Sequence, residues 1–134
     1  KQFTKKSLHV WFQSSQSYFE KEDFFKIYIH YPRKELVQRI SKRAEQMIKI
    51  GAINEVKRFL NLKVRKDKSV NKAIGIHEIK EYLEKRNDMS EVIEKISIKT
   101  RQYAKRQSTW ARGNMMSWLK LPPQDLNKFL KKIK

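Results

Sequence analysis

Residues 90–113 read SEVIEKISIKTRQYAKRQSTWARG, and this stretch decides the fold. Val92, Ile93, Ile96, Thr100, Tyr103, Gln107 and Trp110 recur at helical spacing, which predicts one long helix with that stripe, Tyr103 and Trp110 included, facing a core. Asp88 or Ser90 supplies its N-terminal cap. Lys95, Lys99, Gln102 and Arg106 stand at i, i+4, i+7 and i+11, and Arg101, Lys105, Ser108 and Arg112 repeat that spacing on the adjacent face. No acid lies between Lys95 and Arg112. Two basic rows therefore flank the apolar stripe, and like charges one turn apart cost roughly 0.2–0.5 kcal/mol per pair. A polyanion would remove that repulsion, whereas a solvated basic face with no partner is the plainer alternative.

Outward from this helix the chain is mostly helical. Leu36, Ile40, Ala44, Met47 and Ile48 mark a helix over 34–50, with Gly51 placed for a left-handed C-terminal cap. Val56, Phe59 and Leu60 mark a second over about 53–62, and the charged run 63–68 reads as an exposed loop. Ala73, Ile74, Ile76, Ile79, Tyr82 and Leu83 mark a third, beginning near Gly75, and Leu126, Phe129, Leu130 and Ile133 mark a last amphipathic helix. Two short strands are expected, Phe25–His30 by its period-2 alternation and Met116–Leu119, each ended by proline. One strand alone is unstable, so the two must pair with each other or with a second chain. Residues 1–23 are polar, with Leu8, Trp11 and Phe12 as scattered anchors, and read as a helical turn followed by a loop.

The composition agrees with a small basic domain. In 134 residues there are 32 Lys+Arg against 14 Asp+Glu, a formal charge of +18. Hydrophobic residues make up 39%, enough to bury one core. Such a surface favours a phosphate polymer, whose condensed counterions are released on binding, and nucleic acid is preferred over a membrane. Absent cysteines exclude disulfides, thiolate zinc sites and a cysteine nucleophile, and they fit a reducing cytoplasm. No apolar run approaches the ~20 residues of a membrane span.

Few residues suggest chemistry on their own. Arg39 and Arg43 share a helix face one turn apart, where paired guanidinium groups suit a phosphate or pyrophosphate, although such pairs are frequent on solvated surfaces. His9, His30 and His77 are too scattered for a metal site. Gly51, Gly75 and Gly113 are the only glycines, so there is no phosphate-cradling loop and no self-contained nucleotide-binding or catalytic apparatus.

Three blocks together carry more than composition: LVQRISKRAEQMIKIGAINEVKRFL at 36–60, KAIGIHEIKEYL at 72–83 and KTRQYAKRQSTWAR at 99–112. In content and spacing they resemble the C-terminal part of the tRNA dimethylallyltransferases, or tRNA isopentenyltransferases. The third block is the most specific, matching at Thr100, Arg101, Ala104, Lys105, Arg106, Gln107, Thr109, Trp110 and Arg112. The resemblance runs over about residues 5–119, and the segment TKKSLHVWFQ looks like the exit from the family's inserted tRNA-binding domain. It implies two parts, an exit segment at 1–23 and, at 24–134, the C-terminal part of a catalytic domain. The implied fold is mainly α with two short strands, the C-terminal portion of a P-loop NTPase-like α/β fold. The family's P-loop and its aspartate-bearing segment have no counterpart here, so a truncated chain, inactive alone, is expected; Lys1 in place of Met agrees.

The implied activity is transfer of a dimethylallyl group from dimethylallyl pyrophosphate to N6 of the adenosine 3′ of the anticodon. In the family an aspartate acts as general base, Mg²⁺ and the P-loop hold the pyrophosphate, and the adenine is flipped into a channel. No metal is expected on this chain itself. By position, Arg43 corresponds to an arginine near the pyrophosphate, with Arg39 in support. Lys72, Ala73, Ile74, Gly75, Ile76 and His77 correspond to a tRNA-contacting loop, and Lys105, Arg106, Thr109 and Arg112 to the tRNA side of the long helix. Gln107, expected on the buried side, would hydrogen-bond behind those contacts. The family's Gly-Tyr-Lys/Arg is Gly75-Ile76-His77 here, which shifts the phosphate contact toward Lys72. The implied partners are the tRNA anticodon stem-loop and dimethylallyl pyrophosphate, with a monomeric intact enzyme and a self-associating fragment. A free-standing basic helical RNA- or DNA-binding module and a ribosome-associated basic protein are the alternatives; neither requires Gln, Thr and Trp at their places in the third block.

Overall fold

In the computed structural model, which describes residues 7–15 and 18–133, the decisive stretch is one helix. Helices α1 (Leu8–Ser14), α2 (Arg33–Lys49), α3 (Ala52–Asn61), α4 (Ile76–Leu83), α5 (Met89–Asn114) and α6 (Leu126–Ile133) follow one another along the chain, with strands β1 (Ile27–Ile29) and β2 (Leu119–Leu121). Asp88 caps α5. Its carboxylate accepts the Glu91 N–H at 2.8 Å, and the Glu91 carboxylate accepts the Asp88 N–H at 3.2 Å, which satisfies two donors that a helix start leaves open. The break between α2 and α3 falls at Gly51, whose φ of +114° is left-handed and whose N–H donates to the Ile48 carbonyl. Of the expected exit segment at 1–23, residues 1–6 and 16–17 lie outside the described residues, and α1 buries none of its own side chains.

Four helices make the core. Ala44 of α2, Ala52 and Val56 of α3, Ile79 of α4, and Val92 and Ile96 of α5 form one buried cluster, with Met47, Leu60, Ile76, Leu83 and Ile93 packed around it. The third helix starts just past Gly75 as expected, and Ala73 and Ile74 precede it, after a single 3-10 turn over Ser69–Lys72.

The two strands pair with each other, in parallel, with Ile27 opposite Leu119, Tyr28 opposite Lys120 and Ile29 opposite Leu121. Their bounds differ from the expected ones. The first shortens to Ile27–Ile29, and the second moves from Met116–Leu119 to Leu119–Leu121, because the chain leaving α5 must first turn back. Trp118 N–H closes that turn on the Met115 carbonyl at 3.2 Å, and Leu119 N–H opens the ladder on the Lys26 carbonyl at 2.8 Å. Pro122, which has no N–H to donate, ends it.

The apolar stripe of α5 also departs from expectation beyond Thr100. Tyr103 is 50% and Trp110 58% exposed, Gln107 is exposed, and the buried residue in this half is Ala111. Periodicity states which residues share a face, not how far a neighbour runs along it. With 8 residues α4 is roughly 12 Å long, and with 26 residues α5 is roughly 39 Å long. The helix cluster therefore covers the N-terminal half of α5 and leaves the Tyr103–Trp110 face uncovered.

Candidate phosphate-binding site

The C-terminal half of α5 lies over β1 and the start of α2, and the space between them is a trough of two adjoining cavities, of about 560 and 640 Å³. Tyr28, His30, Tyr31, Leu36, Ala104, Ser108 and Ala111 line both. The first is closed by Ile29, Arg106, Gln107, Trp110 and Met115, giving a largely apolar wall. The second is closed by Arg33, Arg101, Lys105, Arg112 and Lys120 with Val37, Ile40, Ile98 and Gln102, which sets five cations around a largely apolar surface. No carboxylate lines either. Among the described residues, Arg33, Arg101, Lys105, Arg112 and Lys120 form no ion pair with a carboxylate.

Each position follows from local structure. Pro32 stands just before α2 and Arg33 opens it, so this guanidinium is carried at the helix start beside β1. Lys120 enters through the register of the parallel pair, opposite Tyr28. Arg101, Lys105, Ser108 and Arg112 are the second of the two basic rows, carried by one straight helix. Thr109 Oγ1 accepts a hydrogen bond from Arg112 Nη2 at 3.4 Å, so this threonine orients the guanidinium.

The first basic row is different: no acid falls within it on α5, yet its lysines are matched by acids of another helix. Lys95 Nζ lies 3.2 Å from Glu81 Oε2, and Lys99 Nζ pairs with Glu78 Oε1, both carboxylates belonging to α4. Burial pushes the Glu78 carboxyl up, but the Lys99 ammonium and the Glu78 and Gly75 N–H groups outweigh it, and its pKa falls below the ordinary 4.5. Glu81 is likewise held low, by hydrogen bonds from the Asn87 amide and Lys95.

Of the residues nominated from sequence, Lys105 and Arg112 line the cationic cavity, and Arg106 and Gln107 the apolar one. Gln107 thus faces open space rather than a buried network. Arg39 stacks on Tyr31, 4.9 Å from the ring centroid, and reaches the trough only through that ring, while Arg43 lines neither cavity. Lys72–His77 sit elsewhere, against the N-terminal half of α5: a Cβ on Gly75 would lie 3.5 Å from Met47 Cε and 3.8 Å from Ile96 Cδ1. From Ile96 to Ser108 is roughly 18 Å along the helix, so the loop and the trough are separate places on one element. Sequence reasoning did not nominate Arg33, Arg101 or Lys120. Arg101 carried a signal, its place in a basic row and in the most specific block; Lys120 carried none without the strand register.

The Mg²⁺ implied by the resemblance does not fit these residues. A hard cation takes oxygen ligands, and among the described residues no group of three His, Asp or Glu side chains converges. The trough carries cations and no carboxylate.

Comparison with known proteins identifies the family. The family model described as IPP transferase matches residues 2–114. The tRNA dimethylallyltransferase of Pelagibacter ubique is 48% identical over 134 residues, covering all of this chain and 43% of that protein, and the Thermotoga maritima enzyme of the same name is 37% identical over 112 residues, 83% of this chain and 37% of that protein. The chain therefore spans less than half the length of these curated relatives. Among solved structures, the tRNA delta(2)-isopentenylpyrophosphate transferase of Staphylococcus epidermidis superposes with a TM-score of 0.71 at 28% identity, over 98% of this chain and 45% of that one. The full-length tRNA isopentenylpyrophosphate transferase of Bacillus halodurans gives 0.68 at 31% identity, over 81% and 36%. The mainly helical chain with its parallel strand pair is thus the C-terminal portion of the P-loop-like fold of those enzymes. With the matched region, the third sequence block and the cationic helix all coinciding, the chain belongs to the IPP transferase family.

Proposed function

We propose that this chain is the C-terminal part of a tRNA dimethylallyltransferase of the cytoplasm, acting on the anticodon stem-loop. The observation that carries the reading is the trough: five cations with no carboxylate set around two adjoining, largely apolar cavities. A prenyl diphosphate has ends to match both, and an RNA backbone needs the cations alone. In the reaction the adenosine N6 attacks the allylic carbon, the carbon–oxygen bond to the diphosphate breaks, and the N6 proton passes to a base. Negative charge grows on the departing pyrophosphate. Arg101, Lys105 and Arg112 on one rigid helix, with Arg33 and Lys120 from the facing elements, are placed to stabilise phosphate charge with little rearrangement. The general base and Mg²⁺ of the family's mechanism are assigned to no residue of this chain. The loop 72–77, at the other end of α5, is assigned to the RNA, as are Arg106 and Thr109.

The test is binding of the 134-residue chain to an anticodon stem-loop across a salt series, with Arg101→Gln, Lys105→Gln and Arg112→Gln, and with duplex DNA as the contrasting arm. Each variant is expected to lower the salt slope by about one relative to the parent. Unchanged slopes in all three would remove phosphate from the trough, and equal affinity for duplex DNA would favour a free-standing basic module.

A further inference from the structure

Among the described residues Glu78 is the only charged side chain that is buried, 1% exposed, and nothing in the transfer chemistry uses it. It stands at the third position of α4, where a glutamate that reaches back to the cap N–H ordinarily stays at the surface. Here Oε2 accepts the Gly75 N–H at 2.8 Å, while Oε1 has one partner, the Lys99 ammonium of α5. Gly75 is itself buried, with φ +107°, a conformation side-chain-bearing residues rarely adopt. The turn is thus fixed at its base by backbone, carboxylate and ammonium from three segments. A buried ion pair is a weak source of net stability, because desolvation offsets much of the attraction; what it specifies is geometry. Directly above this base Lys72, Ala73, Ile74 and His77 are exposed, Ile74 by 37%. A second tie joins the same two helices: Lys95 Nζ of α5 lies 3.2 Å from Glu81 of α4, whose carboxylate His77 Nδ1 of the same helix approaches to 3.5 Å.

We propose that Glu78 is a positioning residue for RNA recognition: locked by Lys99, it holds the Gly75 turn and so presents Lys72–Ile74 and His77 to the anticodon loop. The inference rests on the reading of this chain as part of a tRNA-binding enzyme. It also reassigns Lys99, which is half-exposed but spends its charge on the Glu78 carboxylate and not on phosphate.

The test is binding of the 134-residue chain to the stem-loop carrying the target adenosine and to the same stem with a scrambled loop, across a salt series, for the parent, Glu78→Gln, Glu78→Ala and Lys99→Met. Amide exchange at Gly75 and a thermal melt accompany each. Glu78→Ala is expected to lower the preference for the target loop roughly fivefold, with Gly75 protection lost and Ile79 protection kept. Glu78→Gln retains an acceptor for the Gly75 N–H and is expected to keep most of the preference. Lys99→Met removes the lock on the carboxylate and is expected to lower the preference for the target loop while leaving the salt slope unchanged. A slope lower by about one would make Lys99 a phosphate contact and overturn the proposal, as would full loop preference in Glu78→Ala after Gly75 protection has gone. If Glu78→Ala does not fold, Glu78→Gln and Lys99→Met decide the matter. A parent chain that does not distinguish the two loops overturns the recognition reading and this inference together, whereas a discriminating parent with indifferent variants overturns this inference alone.

Discussion

The two halves of α5 carry the same pattern, a stripe at helical spacing flanked by cations, and do opposite things with it. In the N-terminal half Val92 and Ile96 are buried in the four-helix cluster, and the lysines at 95 and 99 are matched by Glu81 and Glu78 of α4. In the C-terminal half the aromatic residues of the stripe are exposed, and Arg101, Lys105 and Arg112 face a trough without a carboxylate. The difference comes from what lies opposite and not from the helix. A short neighbour supplies acids and apolar cover to one half; a pair of three-residue strands and the start of α2 supply more cations to the other. Charge neutralised internally serves structure, and charge left unmatched on a rigid element is available for a ligand.

The largest expected effect breaks the matched half. Glu78→Ala leaves the Gly75 N–H and the Lys99 ammonium without their acceptor, and is expected to cost about 2 kcal/mol in denaturant unfolding. That is below the full cost of breaking a buried pair, because Lys99 keeps 51% of its side chain exposed. The sign of the pH dependence follows from the lowered Glu78 pKa. Its contribution is complete above the ordinary carboxylate value of 4.5 and is lost as pH falls through the lower folded value. Unfolding curves of the parent should therefore weaken below about pH 4.5 by more than those of Glu78→Gln. Identical profiles would mean that Glu78 is not ionised in the folded chain.

What was legible in the sequence divides along the same line. The Asp88 cap, the break at Gly51 and the apolar faces of α2 and α3 are local, set by residues within a turn of each other, and they form where expected. The Glu78–Lys99 pair joins two helices, so reading α5 alone showed an acid-free face that the fold supplies with acids. Burial of Tyr103 and Trp110 was inferred from period alone, and the length of α4, which decides it, is a property of another segment. The trough needs Arg33, Lys120 and α5 at once, and only the parallel register brings the second of these in. The family resemblance rests on residues in sequence order and depends on none of these long-range contacts.

Within the matched half Ser97 is the exception. It is 5% exposed and its hydroxyl has no hydrogen-bond partner among the described residues. Ser97→Ala removes that unsatisfied group and substitutes a better helix former, and is expected to raise stability by about 0.5–1 kcal/mol. A loss of stability would show that the hydroxyl has a partner, a buried water being the chemically suitable one.

The smallest expected effect sharpens the contrast most, because it sets stability against binding at one residue. Lys105 stands one turn from Arg101 and is matched by no carboxylate among the described residues. Lys105→Gln relieves like-charge repulsion and is expected to raise the unfolding free energy by roughly 0.2–0.5 kcal/mol at low salt, with the gain shrinking as salt screens the pair. The same substitution is expected to weaken RNA binding. Opposite signs in the two measurements are what a residue kept for a ligand should give, since a helix selected only for stability would carry an acid within reach of this position. If Lys105→Gln instead destabilises the chain, the C-terminal half of α5 draws on its cations for folding just as the N-terminal half does, and the division between the two halves dissolves.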